Sequence, residues 1–264
     1  MIEPHINEAE LRKKIVELFD YRLFPQLLEA GHVDEALQSI FIEHLIQLQT
    51  NIYFLDAHLE ANWQTNPQIL NLHWDNIKNS LDPFHIPTDQ YTAYLNHIKK
   101  YEKHELELRQ GKSPLRFDME YFYFYKSCDV KLLRRLIYEK FQLTPACGML
   151  SDWRFYDLVT EVNDDIEDLF EDLDFINGNR FLISLLYYDK MKSKKIFTEF
   201  LDDILAKAKN KYLSCTGRYK EIIYNVTLQR ISETKELLDQ RIEEIQNEQL
   251  QASRLFKYQN ILQK

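Results

Sequence analysis

Glycine and proline are scarce in this chain, five and seven in 264 residues, which excludes collagen-like, Gly/Pro-rich and low-complexity architectures. No linker rich in Pro, Gly or Ser divides the chain, so it reads as one domain over 1–264. Cysteine is scarce as well: Cys128, Cys147 and Cys215 are odd in number and lack metal spacing. That excludes a disulfide framework and predicts reduced thiols in a cytoplasmic protein. No apolar run approaches a membrane span, and the start, MIEPHINEAELRKK, lacks the basic-then-apolar order of a signal peptide. A basic stripe is missing too. With a net charge of −9 and a pI near 5.4, neither nucleic acid nor an anionic membrane is an expected partner.

What the chain does have is apolar residues at helical spacing nearly throughout, and β-alternation is hard to find. The fold class expected is all-α. Helices are predicted at 7–29, 34–62, 66–82, 88–110, 117–142, 150–174, 180–209 and 218–260, separated by AGHVD, QTNP, LDPFHIP, QGKSP, LTPACG, INGN and SCTG. The aromatic fraction is 13%, with sixteen Phe and sixteen Tyr, enough for a large core or an aromatic-lined cavity. Leu228, Ile231, Leu238, Ile242 and Ile245 form a loose seam on the last helix, open to a homodimer contact or to packing on its own domain.

Three helices carry charge where apolar residues are expected. In EVNDDIEDLFEDLD, residues 161–174, eight of fourteen positions are carboxylates, and no Lys or Arg intervenes between Arg154 and Arg180. Phe155, Leu158, Val159, Val162, Ile166, Leu169, Phe170 and Leu173 make an apolar stripe there. At 100° per residue, Glu161, Asp165, Asp168 and Asp172 line one edge of it, with Asp164 behind. Like charges three or four apart each cost about 0.2–0.5 kcal/mol without counterions, whereas Mg²⁺ takes hard carboxylate oxygens and is shared with substrate phosphates. On a second helix, Asp56 and Glu60 fall within the stripe of Leu45, Ile52, Tyr53 and Trp63, where a carboxylate needs a partner. On a third, Lys126 shares a face with Met119, Phe122, Val130, Leu133 and Ile137. A structural ion pair with Asp56 or Glu60 and a diphosphate contact both account for such a lysine.

Two acidic clusters, an inward lysine and aromatic walls suit metal-assisted ionisation of a prenyl diphosphate, with Phe122, Tyr123, Tyr53 and Trp63 as candidate wall residues. TEVNDDIED resembles the second aspartate-rich motif of class I isoprenoid synthases, all-α enzymes that include trans-prenyltransferases and terpene cyclases. Asp164, Asp165 and Asp168 match its DDxxD, and Asn163, Glu167 and Glu171 fit the cyclase motif NDxx(S/T)xxxE, with Glu at the hydroxyl position. IYFLDAHLE resembles the first motif through Asp56 and Glu60, with Ala57 in place of an acid. KSCDVKLL resembles the lysine-bearing helix between the motifs, and Arg116 and the Arg218–Tyr219 pair resemble the arginine sensor and the RY pair. The resemblance spans residues 40 to 180. It implies a single-domain helical bundle of that type, Mg²⁺ held by the acids, and Lys126, Arg116, Arg218 and Tyr219 on a prenyl diphosphate substrate.

Two other readings stand beside it. One is a carboxylate-bridged di-metal bundle, whose Glu-x-x-His signature occurs once, at Glu29 and His32. The other is a non-catalytic helical interaction protein in which Asp56, Glu60 and Lys126 form a buried network and the acidic ridge docks a basic partner. His58 and His44 are expected to face solvent or cap helices.

Overall fold

The computed structural model describes residues 7–31 and 34–262, and among them every regular element is helical. The expected start positions are set by capping side chains. Asn7 caps α1 (Glu8–Tyr21), Asp34 caps α3 (Glu35–Ala61), and Asn66 followed by Pro67 starts α4 (Pro67–Asn79). Between the first two of these lies α2 (Phe24–Ala30). The expected helix 7–29 is therefore two helices, because Pro25 has no N–H for the ladder and its ring clashes with the carbonyl one turn back. Leu23, at φ 60°, takes the left-handed turn that separates them.

The described residues group into two compact units. The first comprises residues 1–99 and 128–150, the second 100–127 and 151–264, with the boundaries inside α5 (Tyr91–Leu108) and between α6 (Met119–Lys126) and α7 (Cys128–Lys140). In the first unit α3 packs on α1, α4 and α7, around Ile15, Phe19, Leu27, Leu45, Leu48 and Ile52. His58, expected outside, is buried in this unit with its ring 5.4 Å from that of His73. Its position on α3 is close enough to the apolar stripe for neighbouring helices to cover it.

In the second unit the central element is α8 (Arg154–Glu167), packed against α6, α9 (Arg180–Tyr187), α10 (Lys190–Ser214) and α11 (Lys220–Glu244). Ten of its fourteen residues are buried, so its polar edge is interior as well as its apolar stripe. Three expected helices are broken here by capping chemistry. Ser127 ends α6, Asp189 accepts from the Lys192 N–H at 2.8 Å and starts α10, and Gln246 with Gln249 forms a capping box for α12 (Asn247–Ala252). The seam on α11 is spent inside the unit: Ile231, Leu238, Ile242 and Ile245 are buried, and α11 lies on α8 and α10.

Among the described residues no helix is long and apolar enough to cross a membrane. The three cysteines are free thiols.

Candidate functional site

The acidic run does not continue as one helix to residue 174. α8 stops at Glu167, Asp168 is its C-cap, and residues 172–174 form a separate 3-10 turn. Carboxylates gathered at a helix C-terminus oppose its dipole, and Asp is a weak helix former, so the run ends where the charge accumulates. The predicted edge is thereby split. Glu161 and Asp165 are buried, Asp164 is half-buried, Asp168 is exposed, and Asp172 is half-buried in the turn.

Asp165 is the centre of the arrangement. It is fully buried, and both its oxygens are occupied. Lys126 Nζ bonds Oδ1, while the Tyr123 hydroxyl and the Arg180 backbone N–H each donate to Oδ2 at 2.8 Å. The inward lysine thus has a carboxylate partner, but on α8 rather than at Asp56 or Glu60. Burial works against the Lys126 ammonium, yet Asp165 and Glu161 outweigh it and hold the group above the ordinary lysine range. Burial and then the Asp165 charge raise the Tyr123 phenol, which stays a proton donor.

The loop Ile176–Arg180 holds this centre from the other side. Asn179 Nδ2 donates to the Asp165 carbonyl at 2.7 Å and to Asp172 Oδ2 at 2.6 Å, while its Oδ1 caps α9 through the Leu182 N–H. Asn177 Nδ2 donates to Asp172 Oδ1 at 2.5 Å. Burial raises the Asp172 carboxyl despite these amides. INGN is expected only as a turn. An asparagine just before an apolar helix is an N-cap signal that finds Asn179. Its second role, on Asp165 and Asp172, needs the tertiary structure.

Gly178 lies against the buried Glu105 of α5, which accepts from the Gly178 N–H and the Tyr101 hydroxyl. Arg109 stands 3.7 Å away on the other carboxylate oxygen. Burial pushes the Glu105 carboxyl up, against Arg109 and Lys126. A Cβ at residue 178 would meet Glu105 Oε1 well inside van der Waals contact. Since that carboxylate is enclosed and hydrogen-bonded, Gly178→Ala should cost about 1–3 kcal/mol of stability. Thermal denaturation checks it: Gly178→Ala/Glu105→Ser should lie close to Glu105→Ser alone, because the shorter side chain makes room.

The other expected site residues divide as follows. Asn163 is buried and turned onto α11, donating to Thr234 Oγ1 at 3.1 Å, while Glu167 and Glu171 are exposed. Arg116 is paired with Glu107 and lies over the Phe117 ring at 4.3 Å. Arg218 is exposed in the turn before α11, and Tyr219 is buried beside it. Asp56 and Glu60 are half-buried near the end of α3, in the first unit. Glu29 is exposed in α2, and His32 lies outside the described residues.

The test of a metal at the ridge rests on Asp168. Desolvation, then the like charges of Asp164 and Asp172, push its carboxyl up to about 7, although the residue is open to water and salt, which screen part of this. Hard oxygens that repel one another in this way suit a divalent cation, and Asp164 and Asp168 are the carboxylates that would hold it. Among the described residues no three His, Cys, Asp or Glu groups converge as a ready-made metal site. Compared with protein-family models, curated proteins and solved structures, the chain finds no match in any of the three.

Proposed function

We propose that the protein is a Mg²⁺-dependent class I isoprenoid synthase that ionises a prenyl diphosphate, by prenyl transfer or cyclisation. The observation that supports this best is the placement of Asp164 and Asp168, repelling each other at the end of α8, beside the Lys126–Asp165 pair in an all-helical unit. Mg²⁺, when bound, neutralises the carboxylates and the diphosphate. On this reading the Lys126 ammonium, which has three donors and bonds Asp165 with one, would turn another to a diphosphate oxygen. Tyr123 and the Arg180 N–H hold Asp165 so that the lysine stays aimed. Asn179 fixes the end of α8 against Asp172, which sets where Asp168 emerges.

The test is release of inorganic diphosphate from geranyl, farnesyl and geranylgeranyl diphosphates with Mg²⁺, with and without isopentenyl diphosphate. Release is expected only with the metal. Asp164→Asn and Asp168→Asn should each lower it at least about tenfold, since even residues behind a metal's ligands cost 10–100-fold when replaced. No release from any substrate, with no rise in Tm on adding Mg²⁺, would sink the proposal.

A second reading has its own observation. Both oxygens of Asp165 are taken by protein donors, so one member of the DDxxD match is a structural group as it stands. This favours a non-catalytic helical protein with a degenerate prenyl-diphosphate site. A rise in Tm with a prenyl diphosphate and Mg²⁺, without diphosphate release, is its signature.

A further inference from the structure

Between α3 and α4, in the first unit, lies an open hollow of about 420 Å³, within the range of small-molecule sites. Gln47 and Asn51, one turn apart on α3, line it together with Asn76 and Asn79 of α4; Ser80 and His44 complete the polar wall. In a chain with 28% charged residues, no Asp, Glu, Lys or Arg lines this hollow. Of the charged residues near it, Glu43 pairs with Arg12 of α1, and Lys78 pairs with Asp75 at 2.9 Å.

The wall is partly fixed and partly available. Asn51 Nδ2 donates to Ser80 Oγ at 2.6 Å, and that hydroxyl donates to the Asn76 carbonyl at 2.9 Å. Gln47 and Asn79 are exposed, and neither side chain has a hydrogen bond among the described residues. Each amide offers an acceptor and two donors.

We infer that this hollow binds an uncharged, hydroxyl-rich small molecule of the sugar or polyol class. A metal ion or ammonium would need carboxylates, which the wall lacks, and an anion would meet only the His44 imidazole, with no lysine or arginine lining the hollow. An apolar ligand would strip water from several amides without replacing its hydrogen bonds, which is unfavourable. Hydroxyls match amides because both donate and accept, and Pro83, which also lines the hollow, supplies an apolar surface for the C–H face of a ring. The inference does not depend on the reading of the acidic site.

The experiment is saturation-transfer NMR on the full chain with glucose, galactose, N-acetylglucosamine, sucrose and myo-inositol at millimolar concentration. A short uncharged peptide and inorganic phosphate form separate arms. Gln47→Leu and Asn79→Leu are the variants, since both positions are exposed and circular dichroism should show the fold kept. Transfer to at least one polyol is expected, with affinity roughly five- to tenfold weaker in each variant, the fold-change that corresponds to about 1–1.4 kcal/mol for a lost hydrogen bond. No transfer to any polyol, transfer that the variants leave unchanged, or transfer only to the peptide or phosphate would overturn it.

Discussion

Lys126→Met should destabilise the protein by about 3–5 kcal/mol, the range for removing one partner of a buried ion pair. The cause lies in what remains. Asp165 is fully buried and would keep the Tyr123 hydroxyl and the Arg180 N–H as donors, but no longer the ammonium that balances its charge. The measurement is the midpoint shift in urea, followed against pH. In the unaltered protein Lys126 is raised, so its contribution is present below the ordinary lysine pKa of about 10.4 and is lost only as pH rises through the higher folded value. Lys126→Met/Asp165→Asn, which leaves an acceptor for Tyr123 and Arg180 without the charge, should cost less than the sum of the single changes, by roughly 0.5–3 kcal/mol. Additive costs would mean that the two groups do not form a unit. Because Lys126→Met is expected to weaken the fold, the activity test rests on Asp164 and Asp168 instead.

Arg180→Met should cost roughly 2–5 kcal/mol, again read from urea midpoints. The guanidinium is buried and donates at 2.8 Å to the carbonyls of both Pro114 and Phe117, while lying 5.6 Å from the Phe122 ring centre. Methionine keeps much of the aliphatic volume but leaves two carbonyls without donors, at about 1–3 kcal/mol each. Burial pulls the Arg180 pKa down, so part of the loss is returned when the charge is deleted. Arg180→Lys should recover only part of the remainder, because one ammonium does not reproduce a planar fork aimed at two acceptors. Amide exchange localises the effect: protection should fall at the start of α6, which the Pro114–Phe117 segment leads into, and hold in α11. Full recovery with lysine would show that charge alone, without the fork, sustains the contact.

The helical class, the capped starts of α3 and α4, and the buried stripe of α8 all follow from local sequence, since spacing and caps act within a few residues. The break between α1 and α2 is not among the expected ones, although Pro25 is a local cause of it. The inward placement of Lys126 was legible too, because a lysine at the centre of an apolar stripe has no route to full exposure. Its partner was not. Asp56, Glu60 and Asp165 are all carboxylates at buried-side positions, and helical periodicity does not say which helices meet. Nor does helical periodicity show that Asp165 is buried while Asp168, about a turn on, is exposed. That depends on where α8 ends, and the ending is held by Asn177, Asn179 and Arg180, which fold back from beyond the acidic run. The helical class and the residues that carry unbalanced charge are set by near neighbours and are legible in the chain alone, whereas several helix ends are not. The tertiary structure alone decided which charges neutralise each other, because a buried ion pair forms between groups brought together by packing, here 39 residues apart in the chain.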